Sequence, residues 1–246
     1  MALEQIFKAY DVRGTYPEQF DEDLAYRIGA AFATFADAPQ VLVGRDMRPS
    51  SEPLSEAFMR GVTDAGRDAL DLGLVSTDLV YFASGVRDLP GAMFTASHNP
   101  PQYNGIKFCR RRAAPVGQDT GLQTVKELAA TGVDRAESKG SITQTDMLDE
   151  FADHLLAQVD VDAIKPFTVA IDAANGMGGR VVPAVFDRLP VRVIPLYFEL
   201  DGTFPNHPAD PIQPENLKDL QRTVTSSGAD LGLAFAGDAD RVFLVD

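Results

Sequence analysis

Val41-Leu42-Val43-Gly44, with Ser51 to Gly66 and Leu70 to Leu74 after it, is the stretch that decides the fold. Val41 to Val43 form an apolar triplet too short for a helix and closed by Gly44, so they read as a buried strand. Ser51 reads as a helix N-cap with Pro53 in the first turn. Leu54, Phe58 and Val62 then repeat at helical spacing, and Gly66 supplies the stop. Leu70 to Leu74 give the next strand. Strand, helix and strand in that order predict a largely parallel sheet covered on both faces by helices.

The same pattern continues on both sides. Upstream, Leu24, Ile28, Ala31, Phe32 and Phe35 lie on one face of an amphipathic helix that Ala38-Pro39 breaks. Downstream, Leu79 to Ala83 read as helical and Ala92-Met93-Phe94 as a strand. The polar, charged stretch Asp134 to Gly140 predicts a boundary, giving domains 1–140 and 141–246, with a helix starting near Thr145. Beyond it, Phe167 to Ile171 and Val191 to Leu196 are strands flanking a helix. Leu217, Leu220 and Val224 mark another helix, and Leu231 to Phe235 and Val242 to Val245 are strands around a polar loop. No fixed-period repeat is present. A stop directly after the last of these strands gives the expectation that the chain is part of a longer protein.

With 246 residues, 45% of them hydrophobic, the chain can bury a substantial core. Its formal charge of −14 argues against a nucleic-acid partner. The lone Cys109 excludes an intrachain disulfide and a thiol-rich zinc site. There is neither a signal-like N-terminus nor an apolar run of roughly 18 residues, so no membrane association and a cytoplasmic location are expected. Nothing in the sequence fixes an oligomeric state.

Chemistry concentrates in three segments. Thr95 to Lys107 reads as a polar loop directly after an apolar strand, where α/β proteins keep their sites. Its paired prolines, Pro100 and Pro101, hold the loop in one shape and are expected to present Ser97 outward as a candidate nucleophile. A neutral serine needs an activating group, and His98 and Lys107 are the local candidates. The competing reading is a proline-rich turn with a surface serine. In the second segment, Ala236 to Arg241, Asp238 and Asp240 alternate in a glycine-containing turn and could converge on magnesium. Arg241 beside them suits phosphate oxygens. A solvated acidic hairpin tip is the alternative. The third segment, Phe7 to Gly14, sets Tyr10 and Arg13 ahead of the first helix read above; Arg13 either faces a phosphate or pairs structurally with Asp11. The Asn175-to-Gly179 turn lacks dinucleotide-loop spacing and reads as a tight strand-to-helix turn.

Taken in order, these segments resemble the α-D-phosphohexomutase family, of the phosphomannomutase/phosphoglucomutase type. The resemblance rests on Tyr10 to Gly14, Val43-Gly44-Arg45-Asp46 with Arg48 and Ser50-Ser51, Thr95 to Lys107, Asp172 with Asn175-Gly176, and Phe204-Pro205-Asn206-His207 leading to Pro214 through Leu217. It covers nearly the whole chain. The implied fold is α/β: two successive mixed or mostly parallel sheet domains with flanking helices, the first half of a four-domain architecture. The implied activity is an isomerase reaction, moving phosphate between the 1- and 6-positions of mannose or glucose phosphate through a bisphosphorylated sugar. By this resemblance Ser97 carries the phosphate, and Ser97, Asp238 and Asp240 hold Mg2+. Lys107 and Arg13 assist proton transfer and phosphate binding, His98 and Asn99 orient the loop and the sugar hydroxyls, Arg241 joins Ser97, Lys107, Arg13 and His98 as a catalytic residue, and Tyr10 binds substrate with Asn99. Glucose 1,6-bisphosphate is implied as activator. His207 is expected to be structural, and His154 a surface or helix residue.

Two departures qualify what the family implies. Its metal loop begins with an aspartate where this chain has Ala236, so one of three carboxylates is missing and weaker metal binding is expected. The chain also corresponds to two of four domains, so negligible mutase turnover by this polypeptide alone is expected. A non-catalytic phosphosugar-binding or assembly module is therefore the rival reading. A serine hydrolase is disfavoured because no G-x-S-x-G elbow surrounds Ser97.

Overall fold

The computed structural model describes residues 2–246, apart from the side chain of Ala2, in two compact units. The first contains the chain up to Leu74, Val80–Ala96 and Gln102–Asp146; the second contains Val75–Leu79, Ser97–Pro101 and Met147–Asp246.

The first unit begins with α1 (Ala2–Ile6), β1 (Val12–Thr15), α2 (Glu22–Ala36), β2 (Gln40–Arg45), α3 (Ser51–Asp64) and β3 (Asp68–Leu74). After α4 (Thr77–Arg87), whose first turn counts with the second unit, come β4 (Gly91–Phe94), β5 (Tyr103–Arg110), β6 (Ala114–Pro115), α5 (Leu122–Thr131) and β7 (Ile142–Gln144). The strand order is β1-β5-β4-β2-β3-β7, with β6 on β5; the β4-β2-β3-β7 part is parallel, and β5 runs antiparallel to β1, β4 and β6. Asp21 caps α2, its side chain accepting from the Leu24 amide at 2.9 Å, and Asp37 ends that helix in the left-handed region. The core is aromatic. Phe32 lies 4.5 Å from Phe108, and Phe58 meets Phe94 edge-on at 5.4 Å, an arrangement that adds quadrupole attraction to apolar burial.

Ser51 is not the cap of α3: the cap position is Ser50, and the Ser51 hydroxyl instead donates to Asp46 Oδ1 at 2.6 Å. The polar loop ends at residue 102, because Tyr103 to Lys107 belong to β5. Polar Asn104 and flexible Gly105 disguise the strand, but Asn104 spends its amide on Ser50 and Ser51 at 2.8 and 3.0 Å. Gly105 is needed because a Cβ there would lie 2.1 Å from the carbonyl oxygen of Val12 on the paired strand.

The second unit comprises α6 (Leu148–Leu156), β8 (Phe167–Asp172), α7 (Gly178–Phe186), β9 (Val191–Leu196), α8 (Lys218–Ser227), β10 (Leu231–Phe235) and β11 (Val242–Val245). Its sheet order is β11-β10-β8-β9, parallel except for β11. Leu220 and Val224 of α8 cover one face, and Val182 and Phe186 of α7 cover the other. From β8 the chain winds outward to β9 and then returns to β10 on the other side of β8. Strand order therefore reverses between β8 and β10, and the loops at their carboxyl ends occupy the position where open α/β sheets bind ligands. Those loops are 173–177 and 236–241. The Met177 amide donates to the Gly237 carbonyl at 2.8 Å, joining them.

Candidate functional site

Ser97 is buried, contrary to the outward presentation expected from the loop, and its φ of 53° lies in the left-handed region that non-glycine residues rarely adopt. The Ser97–Pro101 segment runs close to the 236–241 loop: a Cβ on Gly237 would fall 2.7 Å from the Ser97 carbonyl oxygen, so only glycine permits the approach. The loop itself is closed by Ala236 N–H to Arg241 O at 3.0 Å and Ala239 N–H to Ala236 O at 2.9 Å, with Ala239 at φ 59°.

The Ser97 hydroxyl donates to Asp238 Oδ1 at 2.9 Å and accepts from Arg241 Nη2 at 2.7 Å. The same guanidinium nitrogen donates to His98 Nδ1 at 2.8 Å, and Arg241 Nε donates to Asp240 Oδ1 at 3.2 Å. Arginine has no acceptor, so His98 Nδ1 is the acceptor in this contact. Thr77, which the sequence reading passed over, donates its hydroxyl to Asp238 Oδ2 at 2.6 Å and its amide to the Asp238 carbonyl at 3.2 Å. No sequence pattern links Thr77 to Asp238, since 161 residues separate them. Beside the serine segment lies a cleft of about 540 Å³, lined by His98, Asn99, Thr203, Phe204, Asp210 and Glu215 among others.

The donors available to a cation are the Ser97 oxygen, Asp238 and Asp240, with a buried methyl at Ala236. Among the described residues, no three His, Cys, Asp or Glu side chains gather as a metal cage. This set suits magnesium, which takes one or two carboxylates and completes its octahedron with phosphate and water; it does not suit an ion that requires an all-protein cage.

The loop at the end of β8 has its own polar framework. Asp172 accepts from the Ala174 amide at 2.8 Å and meets His207 Nε2 at 2.9 Å. Burial disfavours the charged imidazole of His207, but the hydrogen bond and charge of Asp172 outweigh it and raise the pKa above the ordinary histidine value. Tyr197 donates to Asp219 at 2.5 Å, which pushes the phenol up to about 12. His154 is exposed on α6.

Tyr10, Arg13 and Lys107 belong to the first unit. Arg13 pairs with Asp11, and Tyr10 is 81% exposed. Arg13 faces Gly105 across the antiparallel β1–β5 pair, which places Lys107, two residues on, as its diagonal neighbour on the same face. Within the Val43-to-Ser51 signature, Asp46, Arg48 and Ser51 form a buried network. Arg48 and Asp46, both without exposed side-chain surface, pair at 3.2 Å, and Arg48 Nη1 donates to the Tyr103 carbonyl at 3.1 Å. Burial pushes the Asp46 carboxyl up, with Arg48 and Ser51 acting in the opposite direction.

The fold and site define an α/β protein with a buried serine hydroxyl set between a carboxylate and a guanidinium at a sheet switch point. The chain belongs to the phosphoglucomutase/phosphomannomutase family: the models of its alpha/beta/alpha domains I and II match residues 4–136 and 149–246. It is 41% identical to a phosphomannomutase of Salmonella montevideo over 98% of this chain and 55% of that protein. It is 40% identical to a phosphomannomutase of Escherichia coli strain K12 over the same shares. A phosphoglucomutase/phosphomannomutase family protein of Burkholderia thailandensis, known from its crystal structure, superposes with a TM-score of 0.91 at 34% identity, covering 98% of this chain and 54% of that one. The chain thus spans about half the length of the curated relatives it matches. Among the described residues, no helix is long and apolar enough to cross a membrane.

Proposed function

We propose that this chain carries the phosphoserine half of a phosphohexomutase, an isomerase that moves phosphate between the 1- and 6-positions of a mannose or glucose phosphate. The observation that carries the reading is the position of Ser97 Oγ, 2.9 Å from Asp238 Oδ1 and 2.7 Å from Arg241 Nη2. In the loading step, Ser97 Oγ attacks a phosphoryl group of glucose 1,6-bisphosphate; the Oγ–P bond forms, the sugar O–P bond breaks, and the proton lost from the hydroxyl is matched by one delivered to the departing sugar oxygen. Arg241 is already placed to neutralise charge on the phosphoryl oxygens without reorganising. Ser97, Asp238 and Asp240 would hold magnesium, whose bound charge stabilises the phosphoryl group in transit. Lys107 and Arg13 are proposed for proton transfer and phosphate contact on the family resemblance. Asn99, on the cleft wall beside Ser97, is proposed for sugar hydroxyls, and Tyr10 for the substrate on the resemblance alone.

Intact mass with peptide mapping of Ser97, before and after incubation with glucose 1,6-bisphosphate and magnesium, tests this reading. Phosphate present or acquired on Ser97, and absent from Ser97→Ala, is the expected result; none under any condition would overturn it. Ala236 favours a second reading, a phosphosugar-binding module without chemistry. That module would bind hexose phosphate, measured by calorimetry, while Ser97 stays unmodified.

A further inference from the structure

We infer that Thr77 is a positioning residue that aims the Asp238 carboxylate at Ser97, an inference that rests on the reading of Ser97 as the phosphate acceptor. Thr77 is the first residue of α4, where a hydroxyl ordinarily satisfies the open amides of its own helix. That duty is already met by Ser76, whose Oγ accepts from the Leu79 amide at 3.3 Å. The Thr77 hydroxyl is turned instead to Asp238 Oδ2 at 2.6 Å, and its open helical amide to the Asp238 carbonyl at 3.2 Å. One residue therefore holds both the backbone and the carboxylate of Asp238.

The choice of oxygen matters. With Oδ2 tied to Thr77, the carboxylate plane is fixed and Oδ1 is the atom that meets Ser97 Oγ at 2.9 Å. Both Thr77 and Asp238 are buried, so water cannot readily replace this contact. The N-terminal end of α4 also favours the negative charge of Asp238. Threonine is stiffer at χ1 than serine, which suits a residue that sets direction. Asp238 meets the attacking Ser97 Oγ, whereas Thr77 touches no reacting atom and acts through Asp238.

The test compares wild type, Thr77→Val and Thr77→Ser in phosphate uptake at Ser97 from labelled glucose 1,6-bisphosphate with magnesium, alongside thermal unfolding. The valine variant should lower the maximal rate of uptake by about tenfold to a hundredfold, the scale of loss for a misplaced reacting group, with the half-saturating donor concentration unchanged. Thr77→Ser, which keeps the hydroxyl, should recover most of that rate. A valine variant as fast as wild type, or a serine variant as slow as valine, would overturn the proposal. If valine does not fold, Thr77→Ala removes the same hydroxyl; failure of both to fold while serine folds would assign Thr77 to stability alone and also overturn it. If wild-type Ser97 takes up no phosphate, the functional reading fails separately. Crystal structures of wild type and Thr77→Val then decide the inference: loss of the Asp238–Ser97 contact in the variant supports it, and retention sinks it.

Discussion

Arg241 Nη2 lies 2.7 Å from Ser97 Oγ and 2.8 Å from His98 Nδ1, so one nitrogen of one guanidinium touches two consecutive residues of the serine segment. Its Nε holds Asp240 at the same time. A lysine has one charged nitrogen on a flexible stem and cannot reproduce this geometry. Arg241→Lys should therefore resemble Arg241→Gln rather than wild type, with phosphate uptake at Ser97 slowed at least about tenfold in both. A lysine variant within twofold of wild type would show that charge alone suffices.

Ala236 opens the 236–241 loop as a buried methyl group. Adding a carboxylate to the donor set should raise affinity for divalent cations, because ligand charge tunes such sites. Ala236→Asp is expected to bind Mn2+ at least about tenfold more tightly, read by paramagnetic resonance of the free ion. Unchanged affinity would place the side chain at 236 outside the cation site.

The Asp46–Arg48 pair is wholly buried, so removing one partner strands the other. Arg48→Met should cost about 3–5 kcal/mol of stability in denaturant unfolding. Replacing Asp46 and Arg48 together by apolar residues should cost less than Arg48→Met alone. Equal losses would locate the effect in the Arg48 contact to the Tyr103 carbonyl rather than in the charge pair.

His207 titrates higher in the folded protein than its ordinary value, so folding favours its protonated form. The stabilisation is complete below the ordinary histidine pKa and is lost as pH rises through the folded value. The melting temperature of wild type should therefore fall relative to His207→Gln as pH is raised from acid through neutral into mildly alkaline buffer. A constant difference between the two proteins would contradict the assignment of the His207–Asp172 contact as a charged pair.

Much of the second unit was legible residue by residue. Phe167–Ile171, Val191–Leu196, Leu231–Phe235 and Val242–Val245 are apolar runs with clear stops, and all four are strands. Helix α2 was equally plain, because Leu24, Ile28 and Phe32 return to one buried face. Short elements were missed: α1, β6 and β7 are five residues or fewer, and length is what periodicity needs. Helix α5 also passed unread, although Leu122, Val125 and Ala129 form a narrow buried stripe. Ser97 was chosen from one loop and Asp238 and Arg241 from another, and the convergence of the two loops depended on the fold. Thr77 lay beyond reach, since a threonine between Ser76 and Asp78 looks like any helix start until its tertiary partner is known.

The register of β1 against β5 works as a ruler. Side chains on a strand alternate faces, so Arg13 and Lys107 share a side only while Arg13 stays opposite Gly105. A slip of one residue would turn Lys107 toward the opposite side of the sheet and bring its buried neighbours Ile106 and Phe108 to the side Lys107 now occupies. Spare residues can be absorbed by a turn, but not by a strand paired along both edges, as β5 is. Insertions between Arg87 and Gly91, at the far end of β4, should thus be tolerated far better than a single residue added between Gly105 and Lys107. The spacing of the two cations is inherited from the main chain, and side-chain evolution at either position operates within limits that backbone hydrogen bonding has already drawn.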